Sequence, residues 1–281
     1  MRNKTKRNDT RGRRRRFNSF VASILTVLLV LSAMIAAMTP QSVNSAGEKT
    51  EEPLRIAVLS DLHYYPASFT GGENAAFQKA HANATRLVAE SANVTRAALD
   101  MIRADAPEVL LITGGLTHKG EKQSAIELAG LLREIEADGI KVFVINGEQE
   151  INSREAVSYA GNRRTAVANM SPGEFRQIFR EFGYDGRHFA SYYQDLNTTD
   201  SQFKQGGMSY VVSPKPGYKI LMLDTAVYTS DFAGRSHAML SPDLLEWIDR
   251  QLEIARLNNE IVIAGLHHPL LIHYGNNYHT M

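Results

Sequence analysis

The chain has 281 residues and no cysteine, which excludes a disulfide framework, a thiolate metal site and a cysteine nucleophile; any metal must be held by His, Asp, Glu, Asn or backbone oxygen. Hydrophobic residues make up 43% of it, enough for a substantial buried core. The formal net charge of +1 is unevenly placed: residues 1–16 hold nine of the 31 Lys and Arg and one of the 30 Asp and Glu, so the remainder carries 22 basic against 29 acidic side chains and offers no nucleic-acid surface.

The basic head runs into an uncharged apolar stretch, Phe20 to Met38, and then into polar residues with small side chains near Val43, Ser45 and Ala46. That order matches an export signal over residues 1–46. An uncleaved membrane anchor is its rival, because 20–38 approaches the roughly 20 residues that span a bilayer. Arg14, Arg15 and Phe17 also resemble a twin-arginine signal, although an Arg-rich head makes that match unspecific. In either case the rest of the chain is expected outside the cytoplasm, with residues 47–53 as linker and 54–281 as one domain.

From Leu54 the pattern is layered α/β. "LRIAVLS" (54–60), "EVLLIT" (108–113) and "IKVFVI" (140–145) are short branched apolar runs that predict strands. Between them the periodicity predicts one helix over Ala75 to Arg103, burying Leu87, Val94, Ala98, Met101 and Ile102. It predicts a second over Lys122 to Ala137, burying Ile126, Leu128, Leu131, Leu132 and Ile135. Strands alternating with helices imply parallel pairing, with sites at the strand carboxyl ends.

In the second half, "MSYVVSP" (208–214) and "YKILMLDT" (218–225) flank Pro216-Gly217 and predict an antiparallel hairpin. A helix over Pro242 to Arg256 and a strand "EIVIAGL" (260–266) follow. Residues 152–205 read as long and polar, with a helix from Ser171, a capping residue, through Pro172 to Phe182, and an exposed loop over Tyr192 to Gln205. Aromatic residues from Tyr159 to Tyr193 either shape a substrate mouth or pack that segment.

The strand ends carry the chemistry. Asp61 and His63 stand two apart, so in an extended segment their side chains share a side, and a carboxylate with an imidazole is a ligand pair for Mn, Fe or Zn. The bland reading is a capping Asp and a surface His. "TGGLT", "NGEQEI" and "GLHHPLLIH" end the other runs, the last with His267, His268 and His273. Polar groups converging from several strand ends strengthen the metal reading. His81, His118, His188 and His237 lie in polar segments and read as surface residues, His279 as a residue without function. Asp224 follows an apolar strand and could be catalytic by position, but structure is the favoured reading, since fold motifs usually serve packing.

In order, Asp61-Leu62-His63, Gly114-Gly115, Gly147-Glu148-Gln149-Glu150 and His267 resemble, from Leu54 onward, the motifs of the calcineurin-like metallophosphoesterases: D-x-H, G-D, G-N-H-D/E, a later His and a terminal G-H-x-H. "GEK" after the second motif, "FGYD" (182–185) and "SYVV…GYKILMLDT" are similar to secreted bacterial members. The resemblance implies an α/β fold, a layered metallophosphoesterase-type β-sandwich flanked by helices and here C-terminally incomplete, since no terminal G-H-x-H precedes Met281.

It also implies a pair of divalent cations, Mn, Fe or Zn, that activates a hydroxide against a phosphoester. By position Asp61, His63, Glu148 and His267 are the metal ligands, with His268 an alternative for His267. Gly115 stands where the bridging Asp belongs, Glu148 where an Asn ligand belongs, and Gln149 where a His assists the leaving group. Without the bridge two dications repel unscreened, and an amide cannot exchange a proton near neutral pH. The resemblance therefore implies at most one ion, or none, and no intact catalytic residue. Three readings follow: a pseudoenzyme or truncated form, a residual single-metal phosphoesterase, and a non-catalytic extracytoplasmic module for a phosphoester or cell-envelope ligand. Nucleic acid is not expected as a partner, and the membrane only through residues 20–38 if they are retained.

Overall fold

The three branched runs form a parallel sheet in the order β1 (Ile56–Leu59), β2 (Val109–Thr113), β3 (Lys141–Ile145), with Ile56 opposite Val109 and Val109 opposite Lys141. The computed structural model describes residues 53–70, 74–194, 196–229 and 238–270. The basic head, the apolar stretch, the linker up to residue 52, His237, His273 and His279 lie outside the described residues. β2, hydrogen-bonded on both sides, buries Val109 to Ile112, whereas β1 is an edge and leaves Val58 exposed.

The crossover from β1 to β2 is broken where one continuous helix is expected. It consists of α1 (Ala75–His81), a 3-10 turn at Val88–Glu90, and α2 (Ser91–Asp105). The break lets Phe77 and Val88 both enter a small cluster with Tyr65, Val157 and Tyr159. Ser91 fixes the restart, its hydroxyl accepting from Tyr65 N at 3.0 Å and donating to Val88 O at 2.9 Å. The buried stripe of α2 is Ser91, Thr95, Leu99 and Ile102. Leu87 and Met101, expected inward, are 72% and 73% exposed, and Val94 is also exposed. The inner face is displaced by one residue because two hydroxyl side chains occupy it, and a search for apolar periodicity discards those.

The next helix, α3 (Lys122–Ala137), has the expected bounds and buries Leu128, Leu131, Leu132 and Ile135. Ile126 lies off the Ala125, Leu128, Leu132 stripe and is exposed.

In the middle of the chain a hairpin of β4 (Val157–Ala160) and β5 (Arg163–Ala166) turns through Gly161, whose φ of +53° suits glycine. The helix that follows, α4 (Pro172–Ile178), begins with a full capping box between Ser171 and Glu174. It stops short of Phe182. Arg180–Tyr184 is an irregular turn whose backbone is non-helical at Phe182 and Gly183; Gly183, at φ +117°, lies so close to Tyr210 that a Cβ there would be 2.4 Å from its ring.

A second sheet has the order β6 (Phe189–Tyr192), β7 (Tyr210–Val212), β8 (Tyr218–Leu223), β9 (Ile261–Leu266). β7 and β8 form the expected antiparallel hairpin; β8 and β9 pair in parallel through α5 (Pro242–Leu257). Of the exposed loop expected over Tyr192 to Gln205, Tyr192 is instead the end of β6, Asp200–Gln202 is a 3-10 turn, and Gln194 and Phe203 are buried.

The sheets stack as a sandwich, β3 on β8 and β2 on β9. Val144, Ile220 and Met222 are fully buried between them, and Tyr210 Oη of the second sheet donates to Val144 O at 2.8 Å. Stacking in this way brings the carboxyl ends of β1, β2, β3, β8 and β9 to one edge. Among the described residues no helix is long and apolar enough to cross a membrane.

Candidate functional site

At the end of β1 the chain leaves the extended conformation. Asp61 and His63 have φ of +56° and +42°, left-handed values that non-glycine residues adopt only when their surroundings hold them. Here the surroundings are backbone: Asp61 N donates to Gly114 O at 3.1 Å, His63 N to Gly115 O at 2.8 Å and Tyr64 N to Leu116 O at 2.9 Å. The two side chains share a side as expected, His63 Nε2 lying 3.4 Å from Asp61 Oδ1, but by this paired turn and not by strand alternation. His63, and behind it Ser60, hold the Asp61 carboxyl well below the usual carboxylate range against the opposing pull of burial.

The ends of β3 and β9 form a second group. His267 Nδ1 donates to Thr113 O at 2.9 Å, since a carbonyl can only accept, so its Nε2 faces Glu148 Oε2 at 2.7 Å. His268 Nδ1 is 2.8 Å from Thr225 Oγ1, and its Nε2 is 3.9 Å from the same Glu148 oxygen. The three side chains are 10%, 11% and 14% exposed for His267, Glu148 and His268.

Burial pushes the Glu148 carboxyl up and the His267 imidazole down, yet their hydrogen bond and mutual charge reverse both effects, to about 2 and about 9. At neutral pH they are an ion pair. Burial and the His267 charge hold His268 down to about 4, so it is neutral there.

This donor set fits a divalent cation. One ligand atom from each of Glu148, His267 and His268 lies within 4.8 Å of the others. The buried Nε2 of His268 has no hydrogen-bond partner, and both rings have their Nδ1 engaged, which aims Nε2 at the carboxylate. Two neutral imidazoles and a carboxylate suit Zn, Fe or Mn, with the His267 proton leaving as the cation enters.

The glycine loops explain why the two groups lie so close. A Cβ on Gly114 would meet the His267 ring at 2.6 Å, and one on Gly147 would meet Gly115 N at 2.7 Å and His267 Nε2 at 2.9 Å. A Cβ on Gly115, at φ +63°, would lie 2.8 Å from Asp61 Cα and 2.9 Å from Asp61 Oδ1. A side chain at position 115 would thus begin in contact with the Asp61 backbone and carboxylate.

Behind the site, Glu150 is fully buried and accepts from Thr117 N at 3.1 Å, Thr117 Oγ1 at 3.2 Å and Gly147 N at 2.6 Å, tying the Gly115 loop to the Glu148 loop. Burial pushes its carboxyl up. Asp224 is also fully buried; it accepts from Asn146 Nδ2 at 2.9 Å, Ala226 N at 3.1 Å and Met208 N at 3.2 Å, joining β3 to β8. These hydrogen bonds give Asp224 a structural role, tying strands of the two sheets together.

Of the four ligand candidates, the structure brings Glu148 and His267 into contact and adds His268, while Asp61 and His63 pair with each other. Gln149 lies between Glu148 and Glu150, half-buried. His118, expected at the surface, is 5% exposed: its ring packs edge-on against Tyr65 and its Nε2 is 3.3 Å from His81 Nε2. His81 and His188 are half-buried, His188 edge-on to Phe143 at 5.7 Å. Glu150, whose buried acceptors join the loops, has no signal in the sequence beyond its place in the third motif.

No curated protein matches the chain. Among solved structures, a dimetal phosphatase from Danio rerio matches with 15% identity and a TM-score of 0.44, over 78% of this chain and 70% of that one. The family model for calcineurin-like phosphoesterases matches residues 54–281, and the chain belongs to that family.

Proposed function

We propose that this chain is an extracytoplasmic phosphoester-binding member of its family that holds one divalent cation at Glu148, His267 and His268 and turns phosphoesters over slowly or not at all. Family membership implies divalent-metal chemistry. The observation that carries the single-ion reading is Gly115: where the bridging carboxylate is expected, its Cα faces the Asp61 backbone with no room for a side chain. Two cations a few Å apart with no anion between them repel strongly in a half-buried site.

When bound, the cation supplies Lewis-acid polarisation of a phosphoryl oxygen. The chain's own residues orient and balance charge. Thr113 O and Thr225 Oγ1 fix the two imidazoles, and Glu148 offsets part of the cation charge. Gln149, at the position from which a proton would be given to the leaving oxygen, bears an amide that cannot supply one; loss of a general acid lowers rates about 10²- to 10⁴-fold. Placement outside the cytoplasm is supported by the basic head, apolar stretch and small residues of 1–46, and a cell-envelope phosphoester is the ligand class that fits it.

The test is to load the full chain with Mn or Zn, dialyse, count metal by plasma mass spectrometry and assay a phosphodiester. One cation per chain with weak turnover abolished by Glu148→Gln supports the reading. Two cations with rapid turnover, or none, would overturn it.

A further inference from the structure

We propose a second binding site, independent of any metal, in which Arg86, Lys119 and Arg164 hold the phosphate group of a small organic molecule. It is a cavity of about 560 Å³ between α1, the turn before Val88, the loop at His118 and the β4–β5 hairpin, walled also by His81, His118 and Tyr159. No Asp or Glu side chain lines it. That charge is local, since the chain beyond residue 16 is net acidic.

Lys119 Nζ pairs with Glu155 at 2.6 Å, while Arg86 and Arg164 make no ion pair among the described residues. Two arginines left without a carboxylate around one cavity are the arrangement that forks of guanidinium donors use for phosphate oxygens. The aromatic face of Tyr159 gives the organic part an apolar wall.

The imidazoles mark the cavity as more than a surface depression. His81 Nδ1 donates to Phe77 O at 2.9 Å, so His81 Nε2 is an acceptor facing His118 Nε2 at 3.3 Å. His118 must then donate through Nε2, and its buried Nδ1 is left with no hydrogen-bond partner. Two Nε2 atoms at that separation could instead flank a cation, but three cationic side chains in the same wall oppose one. The loop bearing His118 and Lys119 is anchored to the first site, His118 N donating to Tyr64 O at 3.3 Å and Thr117 N to Glu150, so the two sites share one rigid segment.

The test is calorimetric titration of the full chain, freed of metal, with inorganic pyrophosphate as probe. Binding without metal is expected, weakened about tenfold or more by Arg164→Gln or Arg86→Gln and left unchanged by Glu148→Gln. Both arginines are exposed, so their loss should not unfold the chain; circular dichroism of each variant checks this. Binding that ignores both arginine substitutions, binding that disappears with Glu148→Gln, or tight Zn binding lost in His81→Ala would each overturn the proposal. Because the pyrophosphate titrations are run without metal and the Zn outcome is read at His81, failure here is separate from failure of the single-cation reading at Glu148.

Discussion

His267 Nε2 and Glu148 Oε2, on the loops that follow strands of different sheets and 119 residues apart in sequence, lie 2.7 Å apart and share a proton where a cation would bind. With the imidazole held up to about 9, cation entry near pH 7 must expel that proton. Titration with Zn in buffers of different ionisation enthalpy should therefore report about one proton released per cation. The cation should also stabilise the fold, by about 2.7 kcal/mol at a hundred times its dissociation constant, and Glu148→Gln should remove most of that gain. No proton release would place the metal elsewhere.

Glu150 makes a different prediction, about the scaffold. Its fully buried carboxylate accepts from two backbone amides and one hydroxyl. Glu150→Gln keeps the shape but turns an NH₂ toward a donor, so urea unfolding should show a loss of about 1–3 kcal/mol. Glu246→Gln, at an exposed position on α5, should change stability by less than about 0.5 kcal/mol. If the two substitutions cost the same, Glu150 does not hold the loops.

What the sequence discloses follows from where backbone and side chain agree. α3 and the β7–β8 hairpin were legible because the apolar period of the one and the Pro216-Gly217 turn of the other agree with the backbone each forms. The inner face of α2 was not, because Ser91, bonded to Tyr65 N and Val88 O, and the small side chain of Thr95 occupy its buried positions. The β4–β5 hairpin carries a Gly-Asn turn signal, but β5 is fully exposed and has no alternation to read. At the site, Glu148 and His267 follow from motif order, whereas the left-handed turns at Asp61 and His63 depend on carbonyls some 50 residues away. His118 is buried by Tyr65 and His81, contacts that only the tertiary fold creates.

His118 predicts a pH dependence. Burial first, then the charges of His81, Lys119, His63 and Arg86, hold its imidazole down to about 3. Above pH 6.5 it is neutral in both the folded and unfolded chain and stability is complete. Below 6.5 the unfolded chain takes up a proton that the folded chain refuses, so stability is lost as pH falls toward 3. Glu121, which burial pushes up to about 7, acts oppositely and adds stability from pH 7 down to 4.5, so the wild-type profile alone does not isolate the histidine. The difference in unfolding free energy between wild type and His118→Asn does. It should shrink by about 1 kcal/mol per pH unit between 6.5 and 5. Parallel profiles would mean that His118 titrates like an exposed imidazole.

Gly115→Asp restores the residue that the family places at the bridge, and it should fail to restore the bridge. The new Cβ would stand 2.8 Å from Asp61 Cα, in backbone that cannot yield without breaking the hydrogen bonds of Asp61 N and His63 N to the Gly114 and Gly115 carbonyls. The left-handed φ adds about 1 kcal/mol for a residue with a side chain, and the new carboxylate would face that of Asp61 at close range. Stability should fall by about 1–3 kcal/mol in urea unfolding, metal should remain at one per chain, and phosphodiester turnover should stay at the wild-type level. Gly115→Ala should lose a similar amount of stability, since the conflict begins at Cβ. Two cations per chain, together with a gain in turnover of about a hundredfold or more, would show that the Asp61 loop moves aside to admit the bridge, and that Gly115 alone had kept a competent two-metal site from forming.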